Sequence, residues 1–78
     1  MIREDMTKKE IEERINLFLR YNTYTFIRVL VNNEFFYYNG FIIKNEKDSV
    51  LFNDEKIKEI PLSKDKIRFI DKSTRGEK

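Results

Sequence analysis

Seventy-eight residues allow one domain, and a chain this short buries only about 60% of the surface that its unfolded form exposes. Seven Phe and four Tyr in a chain that is 38% charged argue against disorder, and the lack of Cys and His removes disulfides, thiolate chemistry, the usual zinc sites and the commonest general base. The net charge of +2 does not by itself imply nucleic acid, although the excess sits wholly in residues 54–78, with eight basic and six acidic side chains.

Residues 1–6 carry no periodic signal and are expected to be flexible. Thr7 and Glu10 have the spacing of a capping box. From there Ile11, Ile15, Phe18, Leu19 and Asn22 follow one helical stripe, which predicts a helix over 8–21 ended by Asn22 in a left-handed conformation. Glu12, Glu13, Arg14 and Arg20 fall largely off the stripe, so the helix is expected to pack on its own sheet rather than on a membrane.

Residues 23–31, TYTFIRVLV, have the β-branched and aromatic composition of a strand. Asn32-Asn33-Glu34 suits a hairpin turn, because Asn tolerates positive φ. The longest strand, 35–45, is largely apolar on both faces: Phe36, Tyr38, Gly40 and Ile42 alternate with Phe35, Tyr37, Asn39, Phe41 and Ile43. The Gly40 face is expected in the barrel interior, and the face with Phe35, Tyr37, Phe41 and Ile43 must be covered by the helix or a neighbouring subunit. Gly40 inside a strand marks a bend or a close backbone approach. Three further strands are expected near 49–53, 57–62 and 66–71, with Pro61 at an edge, a bulge or a junction. Residues 72–78, KSTRGEK, lack any large apolar side chain and are expected to be disordered.

One helix followed by five short strands, the second long and interrupted by a Gly, resembles the Sm-like (LSm) fold over about residues 8–71. Tyr38-Asn39-Gly40-Phe41-Ile42, followed by Val50-Leu51-Phe52-Asn53-Asp54, looks like the first Sm motif. Ile60 to Ile70 looks like the second, and the whole is most similar to divergent prokaryotic members. The resemblance implies an all-β, five-stranded antiparallel, SH3-like barrel with an N-terminal α-helix, homo-oligomeric and RNA-binding. Ser49 stands where uridine-binding members place an Asn, Asp48 where they place a stacking residue, and Ser63-Lys64 where they place an Arg-Gly pair. The scaffold pattern is kept while these recognition residues are replaced.

Three groups of side chains are candidates for function. Lys56, Lys58, Lys64, Lys66 and Arg68 could build a positive rim that holds phosphates, with Lys47, Ser49 and Ser63 beside it. The competing reading is that these charges are solvated and blunt sheet edges, since Glu55, Glu59 and Asp65 are interleaved with them. Tyr21, Tyr24, Phe35, Tyr37 and Phe41 could stack bases or cover a subunit interface, and Tyr37 is the one expected to reach solvent. Arg28, alone among Tyr24, Phe26 and Leu30, is expected at a wet edge of its strand. Carboxylates at Glu46, Asp48, Asp54 and Glu55 fall on turn tips, where solvated acids normally sit.

The sequence therefore predicts a cytoplasmic, non-catalytic module with no cofactor, no metal, no membrane partner and no small-molecule substrate. Its expected partners are further copies of itself and RNA. The alternatives are a protein-interaction or assembly module on the same barrel, or a small DNA-binding barrel.

Overall fold

The computed structural model describes residues 6–74. A helix, α1 (Lys8–Arg20), precedes five strands: β1 (Thr25–Val31), β2 (Glu34–Asn45), β3 (Ser49–Asp54), β4 (Lys58–Ser63) and β5 (Ile67–Lys72). A single 3-10 turn, Lys64–Lys66, joins the last two. All neighbouring strands are antiparallel, in the order β4-β3-β2-β1-β5. The ladder does not close on itself, so β4 and β5 are the two edges of one open sheet. Pro61 lies on the β4 edge opposite Leu51, where its missing N–H costs no ladder bond on an inner strand.

Local chemistry sets the element ends. The capping box is complete: Glu10 N–H donates to Thr7 Oγ1 at 3.1 Å, and Thr7 N–H donates to Glu10 Oε1 at 2.9 Å. At the other end Asn22 takes φ 51°, Thr23 N–H donates to Phe18 O, and Asn22 N–H donates to Leu19 O. That pair of bonds is a Schellman ending with Asn in place of Gly. The β1–β2 hairpin closes at the Val31–Glu34 pair through Asn32 (φ 52°) and Asn33 (φ 66°). Two positive φ values in a two-residue loop match the twist of the flanking strands.

The core lies between α1 and one sheet face. Ile11, Ile15 and Phe18 of the helix pack against Ile27, Ile42, Val50, Phe52, Leu62, Ile67 and Ile70. Each such side chain, removed from water, contributes about 1.5–3 kcal/mol. The helix lies against β2 and β5 on this inner face, so the Gly40 face of β2 is the one that it covers. The opposite face of β2, with Phe35, Tyr37 and Ile43, is not covered by the helix. Ile43 and Arg68 are extra residues at register shifts of the β2–β3 and β1–β5 ladders, and such bulges sharpen the sheet's twist.

Gly40 stands at the hinge of this arrangement. It pairs with Thr25 on one side and with Asp54 on the other, so β2 has both neighbours at that point. A β-carbon on Gly40 would lie 1.9 Å from the Asn53 carbonyl oxygen. Close backbone approach, not left-handed geometry, is what requires glycine there.

Two segments expected to be flexible are partly folded. Met6 is 9% exposed, its N–H donates to Arg68 O, and its sulfur accepts from Ile70 N–H. Lys72 ends β5, and Ser73 is 3% exposed with its N–H bonded to Tyr24 O. Flexibility is therefore wrong for Met6 and for residues 72–73. The backbone pairing of Ser73 requires no large apolar side chain, which is why composition gave no sign of it. The rest of 1–6 and 75–78 lies outside the described residues. Among the described residues, no helix is long and apolar enough to cross a membrane.

Candidate nucleic-acid interface

The structure divides the predicted basic group in two. Ser49 pairs with Ser63 at one end of the β3–β4 ladder, and Lys64 N–H donates to Asp48 O at 3.0 Å. Lys47, Asp48, Lys64 and Asp65 then share a cavity of about 230 Å³ with Lys8, Ile11 and Glu12. Lys56 and Lys58 belong to the turn at the other end of β3, where Asp54 pairs with Lys58. Six residues of strand separate these sites, roughly 17 Å at about 3.3 Å per residue. A single phosphate cannot engage both ends.

The gathered end is close to electrically balanced. Lys64, with its side chain 17% exposed, donates from Nζ to Glu12 Oε1 at 2.8 Å. Asn45 Nδ2 donates to Glu12 Oε2 at 2.9 Å and to Asn16 Oδ1 at 2.8 Å. The Asn45 and Lys64 hydrogen bonds hold the Glu12 carboxyl below its usual range, against a smaller opposing effect of burial. Lys8 pairs with Asp65, and Arg68 turns back to donate to Asp65 O. Lys47 and Lys66 are exposed.

The β3–β4 turn is organised by Asp54, which is 5% exposed. Its Oδ1 accepts from Asn39 N–H at 3.0 Å, and its Oδ2 accepts from Lys56 and Ile57 N–H at 2.9 and 3.1 Å. Burial pushes its pKa up, yet the Ile57, Lys56 and Asn39 amides outweigh that effect and leave it below the ordinary Asp value. Asp54 thus shapes a turn, and Lys58 completes it with φ 77°.

The outer sheet face is the larger feature. Register places Phe26, Arg28 and Leu30 of β1 across from Asn39, Tyr37 and Phe35 of β2, and Arg28 and Phe26 across from Phe69 and Asp71 of β5. Arg28 is therefore in mid-strand on the outer face, not at an edge. Its guanidinium carbon lies 5.0 Å from the Phe35 ring centre and 5.4 Å from that of Phe69. The Phe26 and Tyr37 rings are 5.9 Å apart and nearly parallel, and Phe69 meets Phe26 edge-on at 6.1 Å. Tyr37 is 59% exposed and Phe35 46%. Tyr24 sits edge-on to Phe41, with its hydroxyl bonded to Glu55. Tyr21 is at the helix end, under the Arg20 guanidinium, apart from this face.

Tyr37 and Arg28 are thus brought together, while the two lysine groups flank the sheet at opposite ends. The sequence did not single out Phe26, Asn39, Phe69 or Ser73, which join Tyr37 around a cleft of about 420 Å³. A signal for Asn39 existed: it is the lone polar residue on the β2 face between Tyr37 and Phe41. No group of three or more potential metal ligands is present among the described residues. No protein-family model matches the chain, and no curated protein matches it either.

Proposed function

We propose that the chain is a non-catalytic RNA-binding module of Sm-like architecture that acts as a homo-oligomer. The observation that carries this reading is the outer sheet face, where Tyr37 and Phe35 are exposed and Arg28 is held between two aromatic rings. Single strands bind such surfaces because every base has a π-face, and an Arg supplies both cation–π attraction and charge. Unpaired single strands suit a twisted sheet better than a duplex does, since their bases are free to splay onto it.

The open edges support the proposed assembly. β5, and β4 away from Pro61, present backbone groups that a second strand could pair with. Pairing β4 of one copy with β5 of the next is a heterologous contact, which closes into a ring when the rotation allows. A ring would also repeat the outer face around its circumference and multiply a weak single contact.

Titration of fluorescently labelled RNA and DNA oligomers at about 50 and about 200 mM salt tests the reading. The expected result is RNA binding that weakens with salt. Absence of binding at the lower salt refutes it, and equal affinity for DNA reassigns the ligand. The balanced cavity around Lys64 and Glu12 favours the competing assembly module, in which the aromatic face meets protein. In that case light scattering would report an oligomer while the titrations stay flat.

A further inference from the structure

The geometry points to the cleft between Phe26, Tyr37 and Phe69 as a pocket for one nucleobase of the bound strand, read at its edge by Asn39. This rests on the RNA-binding reading above and adds the place and the chemistry of recognition.

The walls come first. Phe26 and Tyr37 are diagonal neighbours across the β1–β2 pair, and their rings lie within 17° of parallel. Tyr37, at 59% exposure, leaves area for a further planar ring. Phe69 closes the side of the cleft at an angle of 60° to Phe26. The opening of about 420 Å³ holds a base and part of its ribose.

The polar lining makes the cleft more than an apolar patch. Asn39 also lines it and is only 7% exposed, an unusual setting for an amide on an aromatic face. Three of its polar groups are already engaged. Its N–H donates to Asp54 Oδ1, its carbonyl accepts from Glu55 N–H, and its Oδ1 accepts from Ser73 Oγ at 2.7 Å. No hydrogen bond among the described residues uses Asn39 Nδ2. Nδ2 is not among the buried atoms that lack a partner, so it reaches the solvent of the cleft, where a carbonyl or ring nitrogen on a base edge could accept from it. Asp71, at the rim, spends Oδ1 on Arg14 and on Lys72 N–H, leaving Oδ2 to accept from a base N–H. One fixed donor and one acceptor beside a stacking surface is the complement of a base edge that carries one of each. A phenylalanine ring from a protein would fill the stack yet offer Asn39 Nδ2 no acceptor.

Ser73 is the positioning residue. Its hydroxyl pins Asn39 Oδ1, and its N–H is anchored to Tyr24 O, so the amide presents Nδ2 in one orientation.

The test uses the full chain and four labelled homopolymeric RNAs, one per base, read by fluorescence anisotropy at low salt. Wild type should favour one base over the weakest by about tenfold, the discrimination expected of a single edge contact. Tyr37→Ala should weaken all four by about tenfold through the lost stack. Asn39→Asp replaces the Nδ2 donor with an acceptor and should abolish or redirect the preference. Because Asn39 is buried, Ser73→Ala serves as the second variant: it should flatten the preference while the Tyr37-dependent affinity stays. RNA binding with no base preference and no effect of Tyr37→Ala overturns the pocket and leaves the RNA-binding reading standing. No binding of any homopolymer by wild type overturns both. A change in oligomeric state on Tyr37→Ala at unchanged RNA affinity assigns the face to a second copy of the chain and overturns the pocket.

Discussion

Gly40→Ala adds one methyl group and should nearly unfold the domain. The new β-carbon would lie 1.9 Å from Asn53 O, 2.9 Å from Asn53 C and 3.1 Å from Asp54 Cα. All three obstacles are backbone, so no side chain can swing away. Bringing the first contact to 3.0 Å requires β3 to retreat by about 1.1 Å, against a normal strand spacing of about 4.8 Å. The bonds from Glu55 N–H to Asn39 O (2.8 Å) and from Asn39 N–H to Asp54 Oδ1 (3.0 Å) flank this point and would stretch beyond use. At about 1 kcal/mol for the neutral bond and about 1.5–3 for the charged one, with strain added, the loss is about 3–5 kcal/mol. A domain of 78 residues has roughly 4–12 kcal/mol in total, at about 0.05–0.15 per residue. Thermal melting followed by circular dichroism should show a midpoint more than about 10 °C lower, since 1 kcal/mol moves it about 4–8 °C at this size. A midpoint within about 3 °C of wild type would refute the close-approach argument.

Asp54→Asn should cost about 2–3 kcal/mol in urea denaturation, because an amide can no longer accept from Asn39, Lys56 and Ile57 N–H at once. Both Asp54 and Glu12 have carboxyls lowered below their ordinary values. Their stabilisation is therefore complete above the unfolded-state range near about pH 4 and fades as pH falls through the lower folded-state values, so acid titration should show stability dropping below about pH 4. In the Asp54→Asn variant that drop should be shallower. Lys58 holds φ 77°, so Lys58→Gly should raise stability by up to about 1 kcal/mol, and a lower melting point would show that the Lys58 side chain outweighs its backbone strain. Lys64→Ala should lower the melting point while leaving RNA affinity within about twofold, because Lys64 is committed to Glu12; a large affinity loss with little change in melting would return Lys64 to the interface.

The parts of the fold legible in the sequence are those fixed by short-range chemistry. Thr7 and Glu10 specify a helix start whatever follows, and Asn32-Asn33 specify a two-residue turn, because both depend on bonds or φ values within a few residues. Alternation in β2 separated its two faces, and Gly40 marked where the backbone of another strand comes close. Alternation could not say which face the helix would choose. That choice depends on where the loop after Asn22 directs β1, a long-range property with no local signature. The same blindness put Arg28 at an edge: a lone charge on an apolar strand suggests water, yet aromatic rings from two neighbouring strands flank it. Lys64 looked like a free cation because its partner, Glu12, lies 52 residues away on another element.

The placement of the helix also shapes the functional problem. With α1 on the Gly40 face, Ile11, Ile15 and Phe18 complete a core against which Phe69 of the aromatic face also packs. Phe26 and Tyr37 are not part of that core, yet they are held in fixed relation by ring contacts and by cross-strand register. Arg28 lies among them, with its guanidinium within cation–π range of the Phe35 and Phe69 rings. An arginine between two rings, beside a nearly buried amide, supports the partner proposed above, one that is planar, polar at its edge and negatively charged along its backbone. RNA meets all three conditions.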